Sequence, residues 1–276
     1  MSTDTAPQIK TRQIELKSRP DCVPTKANFQ LGEDTLSSLA EGEFLVQNEG
    51  MSVDPYMRGR MNDSASYVRP CQIGKPLEGG CVGKVIESLN DDFAIGHYVL
   101  GSLGWREKWK STGAGVSKID PKLAAVQTFL STLGMTGMTA WVGLTRVAQL
   151  KPGSTVFVSA ASGAVGSIVC QIAKSMDCRV IGSAGRAKKI AWLREKAHVD
   201  EVFNYKETDD PSAKLGSLTP DGIDGYFDNV GGGVFVAVLN YAHIRKTQPG
   251  HESVIGRQQE IHHRSSRNKA VASEAI

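Results

Sequence analysis

The stretch that most constrains this chain is residues 155–166, TVFVSAASGAVG, with the segment that follows it. Val156, Phe157 and Val158 form a short apolar run bounded by Gly153 and Ser162. Such a run predicts a buried parallel strand. Val165, Ile168, Val169, Ile172, Ala173 and Met176 then recur at helical spacing, which predicts an amphipathic helix over 166–176. The turn between them reads as G-x-G-x-x-G with an alanine in place of its first glycine. Short Gly/Ala turns also serve as plain connections. Here a strand precedes, a helix follows, and a second strand is predicted at 179–183, which is the context a dinucleotide-binding turn requires. Exposed backbone N–H groups and the positive end of the helix dipole would together face a pyrophosphate. Gly163 would let the backbone approach it, and Gly166 would let the helix pack on the strand.

Alternation of strand and helix continues: a helix over 187–196, strands over 201–204 and 225–228, and a further apolar helix over 234–241 after Gly231-Gly232-Gly233. This is the pattern of a parallel sheet in an α/β domain. Residues 10–120 read differently. RQIELK, FLVQNE, GCVGKVIE and HYVLGSL are short, β-branched or aromatic, and separated by turn residues, so an all-β domain is expected there. Residues 121–150 read as helical, with Leu123, Val126, Leu130 and Leu133 on one stripe. Within the β domain, Tyr56 and Arg58 stand in an unusual cluster, SVDPYMRGRM. It is either a turn with a buried tyrosine or the lining of a pocket.

The end of the second strand bears on which cofactor fits. Binders of NAD place an acid there for the ribose hydroxyl. This chain has Ser183-Ala184-Gly185-Arg186-Ala187-Lys188-Lys189. Three cations and no acid favour a 2′-phosphate, hence NADP(H). A solvated helix start would instead be disfavoured by its dipole.

Composition excludes several classes. A net charge of +3 on 276 residues gives no footprint for nucleic acid. No apolar run reaches a membrane span, and the N-terminus lacks the apolar core of a signal peptide. The five cysteines form no C-x-x-C pair and no His/Cys group at metal spacing. That fits a reduced, cytoplasmic protein with no metal.

The motifs SVDPYMRGRM (52–61), GWRE (104–107), GMTGMTAW (134–141), AASGAVGS (160–167), FNYK (203–206) and YFDNVGG (226–232) together resemble the zinc-independent medium-chain dehydrogenases/reductases. Within them the NADPH-dependent alkenal, prostaglandin and curcumin reductases are the most similar branch. The resemblance implies a GroES-like β domain over 1–125 and a Rossmann domain, incomplete here, over 126–245. It implies reduction of a carbon–carbon double bond conjugated to a carbonyl, with hydride delivered from NADPH to the β carbon of a small enone. By the same resemblance Gly163, Ala164, Val165 and Gly166 match the pyrophosphate loop, and Lys189 and Tyr205 the 2′-phosphate contacts. Asn229 matches a cofactor-contacting position, Met135 and Thr139 fall beside the nicotinamide, and Tyr56 falls in the substrate pocket. Zinc enzymes of the superfamily carry ligands near Ser52 and Glu78-Gly79-Gly80, where this chain has no His or Cys. Quinone reduction is the alternative chemistry, and an inactive NADPH-binding product the alternative role.

The resemblance ends near Arg245, after four readable strands, and 246–276 reads as a polar, disordered tail, as a changed reading frame would give. The reading therefore expects an open edge on the first strand, a family homodimer in doubt, and a monomeric or aggregation-prone product.

Overall fold

The computed structural model describes residues 8–64, 68–231 and 238, together with the backbone of Val254–Gly256. Two units separate, Met1–Leu130 and Ser131–Ile276. The sequence reading put this division at 125/126.

In the first unit, β1 (Ile9–Leu16) and β2 (Phe29–Leu36) form an antiparallel ribbon in unbroken register, from Ile9 opposite Leu36 to Leu16 opposite Phe29. A five-stranded antiparallel sheet contains β3 (Phe44–Met51), β4 (Cys81–Ser88), β5 (Tyr98–Gly101), β6 (Lys108–Ser111) and β7 (Ser117–Ile119), in the order β6-β3-β4-β5-β7. Its core joins Phe44, Val46, Cys81, Val85, Val99 and Trp109. Phe44 stacks on Phe93 with ring centroids 4.4 Å apart, and the Trp109 indole N–H donates to Asn48 at 2.8 Å. β2, β6 and β7 were not anticipated. β2 has no buried residue and carries Gly32, Glu33 and Asp34, so it shows no apolar alternation to read. Residues 56–60, read as a loop, form a short helix α1 (Tyr56–Arg60) led by Pro55.

The second unit opens with α2 (Met135–Val142), which runs into a π turn at Gly143–Val147. The predicted apolar stripe over 121–150 does not exist. Leu123 is 71% exposed and Leu133 48%. A 3-10 turn at Val126–Leu130 is broken from α2 at Gly134, whose extended backbone cannot continue a helix. Gly137 then packs its backbone on the Thr132 carbonyl, where any Cβ would overlap it.

The parallel sheet contains β8 (Thr155–Val158), β9 (Arg179–Ala184), β10 (Glu201–Asn204), β11 (Gly225–Asp228) and β12 (Val254–Gly256), ordered β10-β9-β8-β11-β12. α3 (Ala164–Ser175), α4 (Ala187–Glu195) and α5 (Pro211–Leu218) are its described helices. α5 went unread, although Asp210 caps it through the amides of Ser212 and Ala213 and Pro211 opens it. The helix expected over 234–241 lies outside the described residues apart from Val238.

Two expectations are corrected here. β8 has no open edge, because it is hydrogen-bonded to β9 on one side and β11 on the other. A fifth strand, β12, falls inside the expected tail and pairs parallel with β11. Its three residues are too few to show an apolar period in a polar context. The rest of 246–276 lies outside the described residues.

Val156, Phe157 and Val158 are all buried, as a strand covered on both faces requires. Val156 and Val158 join Ile168, Val169, Ala173 and Leu193 in one cluster. Phe157 joins another, stacked on Tyr226 at 5.3 Å and Phe203 at 6.0 Å. Phe157→Ala should cost about 3–5 kcal/mol, read as a lower urea midpoint. α3 is tied to the turn before β10 by Lys174, which donates to both Asp200 oxygens at 2.7 and 2.8 Å, while the Val180 amide donates to the same carboxylate at 2.7 Å. Partial burial pushes the Asp200 carboxyl up, but these donors outweigh it and hold it below the ordinary value of 3.8. The stabilisation is therefore present above that value and lost as pH falls through the lower folded one. Asp200→Asn should lower the thermal midpoint at neutral pH and leave it nearly unchanged at the acid end of the same series.

Candidate functional site

The order of the parallel strands fixes where a ligand can bind. From β8 the chain moves outward through β9 to β10, then returns to β11 on the opposite side of β8. Connections diverge there, and open α/β sheets bind ligands in that crevice, beyond the carboxyl ends of the strands.

One wall is the turn from β8 into α3. Ala160 takes a left-handed backbone, φ 45°, unfavourable for a residue with a side chain by about 1 kcal/mol. Gly163 N–H bonds the Ala160 carbonyl at 2.7 Å, and Ala161 N–H reaches the Ser183 carbonyl of β9 at 2.9 Å. The turn is thus pinned to the neighbouring strand. A Cβ on Gly166 would lie 2.5 Å from the Ala160 carbonyl oxygen, and one on Gly163 3.0 Å from it. Close backbone packing leaves no room for a side chain at Gly166, and one at Gly163 would press on the Ala160 carbonyl. Gly163 caps α3 with no side-chain acceptor, and no acid stands in the first turn. The amides of Ala164, Val165 and Gly166 therefore have no acceptor within the helix, at the positive end of its dipole.

A second concentration of positive charge lies at the exit of β9. Arg186, Lys188 and Lys189 are exposed at the start of α4, which has no side-chain cap and no acid in its first turn. Among the described residues no carboxylate pairs with any of them. Tyr205 follows β10 and lies across the backbone of Gly185. A Cβ there would fall 2.9 Å from its ring and hydroxyl and 3.0 Å from Lys206. Tyr205 thus lies at the exit of β9, and Lys189 stands in the first turn of the helix that follows it.

Between β8 and β11 stands a buried polar cluster. Asp228 Oδ1 accepts from the Tyr226 hydroxyl at 2.7 Å, Ser159 Oγ at 3.1 Å, Val230 N–H at 3.0 Å and Gly231 N–H at 2.8 Å. Burial, with the bond to and charge of Asp228, pushes the Tyr226 phenol well above its ordinary range, so it remains a donor. Asn229 Nδ2 donates to the Ser159 carbonyl at 2.9 Å. Sequence reasoning picked Asn229 and missed Ser159, Tyr226 and Asp228. The available signal was polar residues ending two otherwise apolar strands.

Met135 and Thr139 share a face of α2, one turn apart, joined by a 2.7 Å bond from the Thr139 hydroxyl to the Met135 carbonyl. Met135 is exposed. In the first unit Tyr56 packs beside the buried cluster of Leu16, Met57, Met61, Cys71 and Leu77. Arg58 is spent on structure: it donates to the carbonyls of Cys22, Pro20 and Asp21 and to Asn62. Arg60 pairs with Glu78 at 2.8 Å. All five cysteines are free thiols. Burial pushes Cys81 up to about 11 and Cys170 up to about 12, far from nucleophilic reactivity.

The positions near Ser52 and Gly79-Gly80 do not fit a zinc ion. Ser52 and Gly80 are adjacent, with Ser52 N–H on the Gly80 carbonyl at 2.8 Å. However, the Ser52 hydroxyl bonds Asp54, and the Met57 methyl fills the space that a side chain on Gly79 would need. Neither imidazole nor thiolate is present at these positions, and zinc sites rely on such donors.

Strand order, glycine turn and basic strand exit define the dinucleotide-binding domain of an oxidoreductase. Residues 12–119 match the model of an oxidoreductase N-terminal domain, and residues 164–256 that of a zinc-binding dehydrogenase. The second match runs past Arg245, where the sequence reading ended the resemblance. The chain is 42% identical over 239 residues to the NADP(+)-dependent 2-alkenal reductase of Nicotiana tabacum, covering 85% of this chain and 70% of that protein. To the NADPH-dependent curcumin reductase of Escherichia coli it is 41% identical over 230 residues, covering 83% and 66%. CurA of Vibrio vulnificus, solved with NADPH, superposes with a TM-score of 0.80 at 39% identity, covering 84% of this chain and 68% of that one. The chain belongs to the zinc-independent branch of the medium-chain dehydrogenases/reductases, and spans about two thirds of the length of these relatives.

Gly166→Ala would force the α3 turn away from β8. It should destabilise by about 1–3 kcal/mol, as overpacking does, measured by denaturant unfolding.

Proposed function

We propose that this chain binds NADPH and serves an NADPH-dependent reduction of the double bond of α,β-unsaturated ketones and aldehydes. One observation carries the cofactor reading: three cations at the exit of β9, with no acidic partner among the described residues, beside the uncapped N-terminus of α3. A dinucleotide with a 2′-phosphate has two anionic groups at that spacing of elements, whereas NAD offers only the pyrophosphate. The relatives named above as NADP-dependent alkenal and curcumin reductases support the reaction class.

The bound cofactor would supply the hydride. The chain's own residues bind and orient. Ala164, Val165 and Gly166 turn their amides to the pyrophosphate, with Gly163 allowing close approach. Lys189 contributes charge to the 2′-phosphate and Tyr205 its hydroxyl. Asn229 holds the far side of the crevice. Met135 and Thr139 border the nicotinamide, with the thioether giving an apolar edge that excludes water. Tyr56 lines the substrate pocket in the β domain. The work of these residues is positioning, which brings reacting atoms within about 3–3.5 Å. Five free thiols and no disulfide fit a reducing compartment, and we place the protein in the cytoplasm. No helix among the described residues is long and apolar enough to cross a membrane.

Titration with NADPH and NADH, followed by tryptophan fluorescence, tests the reading. NADPH should bind more tightly, and Lys189→Ala should weaken NADPH roughly tenfold, the worth of a charge-assisted contact, while leaving NADH unchanged. Equal affinity for both cofactors would overturn the 2′-phosphate assignment. Turnover of an enone and not of a quinone separates enone reduction from quinone reduction. Tight NADPH binding with neither turned over leaves a cofactor-binding protein without this activity.

A further inference from the structure

The crevice between β8 and β11 has two walls of opposite hydrogen-bonding character. The glycine turn and the start of α3 offer N–H donors to an anion. The loop after β11, residues 229–231, does the reverse. Its three consecutive amides all point inward: Asn229 N–H to Ser159 Oγ at 2.8 Å, and those of Val230 and Gly231 to Asp228 Oδ1. One N–H of the Asn229 side-chain amide also bonds the Ser159 carbonyl. This loop therefore has no backbone donor left for a phosphate. What its backbone retains for a ligand are carbonyl acceptors, with the side chain of Val230, 55% exposed, beside them.

One carboxylate oxygen sets this arrangement. Asp228, only 8% exposed, gathers four donors, two from the loop and two from side chains below it. A buried carboxylate is expensive unless fully hydrogen-bonded, and closing a strand end does not require one. Ser159 completes the latch across the two strands, donating to Asp228 and accepting from Asn229.

The adenosine half of a dinucleotide lies toward the basic exit of β9, so the other half extends across β8 toward this loop. A nicotinamide riboside carries hydroxyl and carboxamide donors and no phosphate, and is complementary to a wall of acceptors. We propose that Ser159, Tyr226 and Asp228 are positioning residues that hold residues 229–231 as an acceptor wall for the nicotinamide riboside half of the cofactor. The proposal rests on the NADPH reading above and assigns these three residues a place in it.

The test compares NADPH with 2′,5′-ADP, which has the adenosine half alone, on the wild-type chain and on Ser159→Ala, Tyr226→Phe and Asp228→Asn. Tyr226→Phe keeps the ring that stacks on Phe157. Each variant should bind NADPH roughly tenfold more weakly, the scale of one hydrogen bond to a charged group, and 2′,5′-ADP as wild type does. Amide exchange at Val230 and Gly231 should accelerate in Asp228→Asn without any ligand. Unchanged NADPH affinity, equal loss of both ligands, or unaltered exchange would each overturn the proposal, equal loss marking a merely structural role. Wild-type protein that binds neither ligand would remove the cofactor reading and this proposal with it. Wild-type binding with unaffected variants would remove this proposal alone.

Discussion

The hydrogen bonding of β8 on both sides is the constraint on which the second unit depends. It places an apolar strand at the middle of a parallel sheet, with Phe157 stacked toward one face and Val156 and Val158 buried toward the other. A strand so enclosed can end only at the sheet margin. The sharp turn at Ala160, the tight packing of Gly166 and the open amides of α3 all follow from leaving that central position. The crevice beside it arises from the topology, because β9 and β11 leave β8 on opposite sides.

The electrostatics of the site run against local stability. Arg186, Lys188 and Lys189 crowd the positive end of α4, where an acid would be favoured, and α3 starts without a side-chain cap, which elsewhere is worth about 1 kcal/mol. α5 has the Asp210 cap and leading proline that α3 and α4 lack. Of the three described helices around this sheet, α5 has a side-chain cap, and the two that follow the glycine turn and the basic strand exit have none. Local strain concentrated in this way is characteristic of a binding surface.

Much of this was legible in the sequence because the signals were local. Strands at 201–204 and 225–228 are short apolar runs between turn residues, and the structure has them at the same positions. The glycine turn and the basic strand exit were readable from residue type alone. Features that depend on partners distant in the chain were not. β2 is polar, and is a strand because β1 lies alongside it. β12 is three residues long and owes its pairing to β11. Arg58 has the chemistry of a pocket residue, but carbonyls some 36 to 38 residues earlier consume it. Asp228 looked like the polar end of a strand. Its importance comes from Ser159, which no period or motif connects to it.

That last separation has a kinetic meaning. β8, α3 and β9 are consecutive and can associate through near-neighbour contacts. The latch between Ser159 and Asp228 joins residues 69 apart, so loop closure must be completed before it contributes anything. The donor-rich wall of the crevice can therefore organise early in folding, while the acceptor-rich wall waits for β11 to arrive. A chain emerging from synthesis would present its phosphate-binding turn, and expose one apolar flank of β8, before the crevice that gives the turn its purpose has closed.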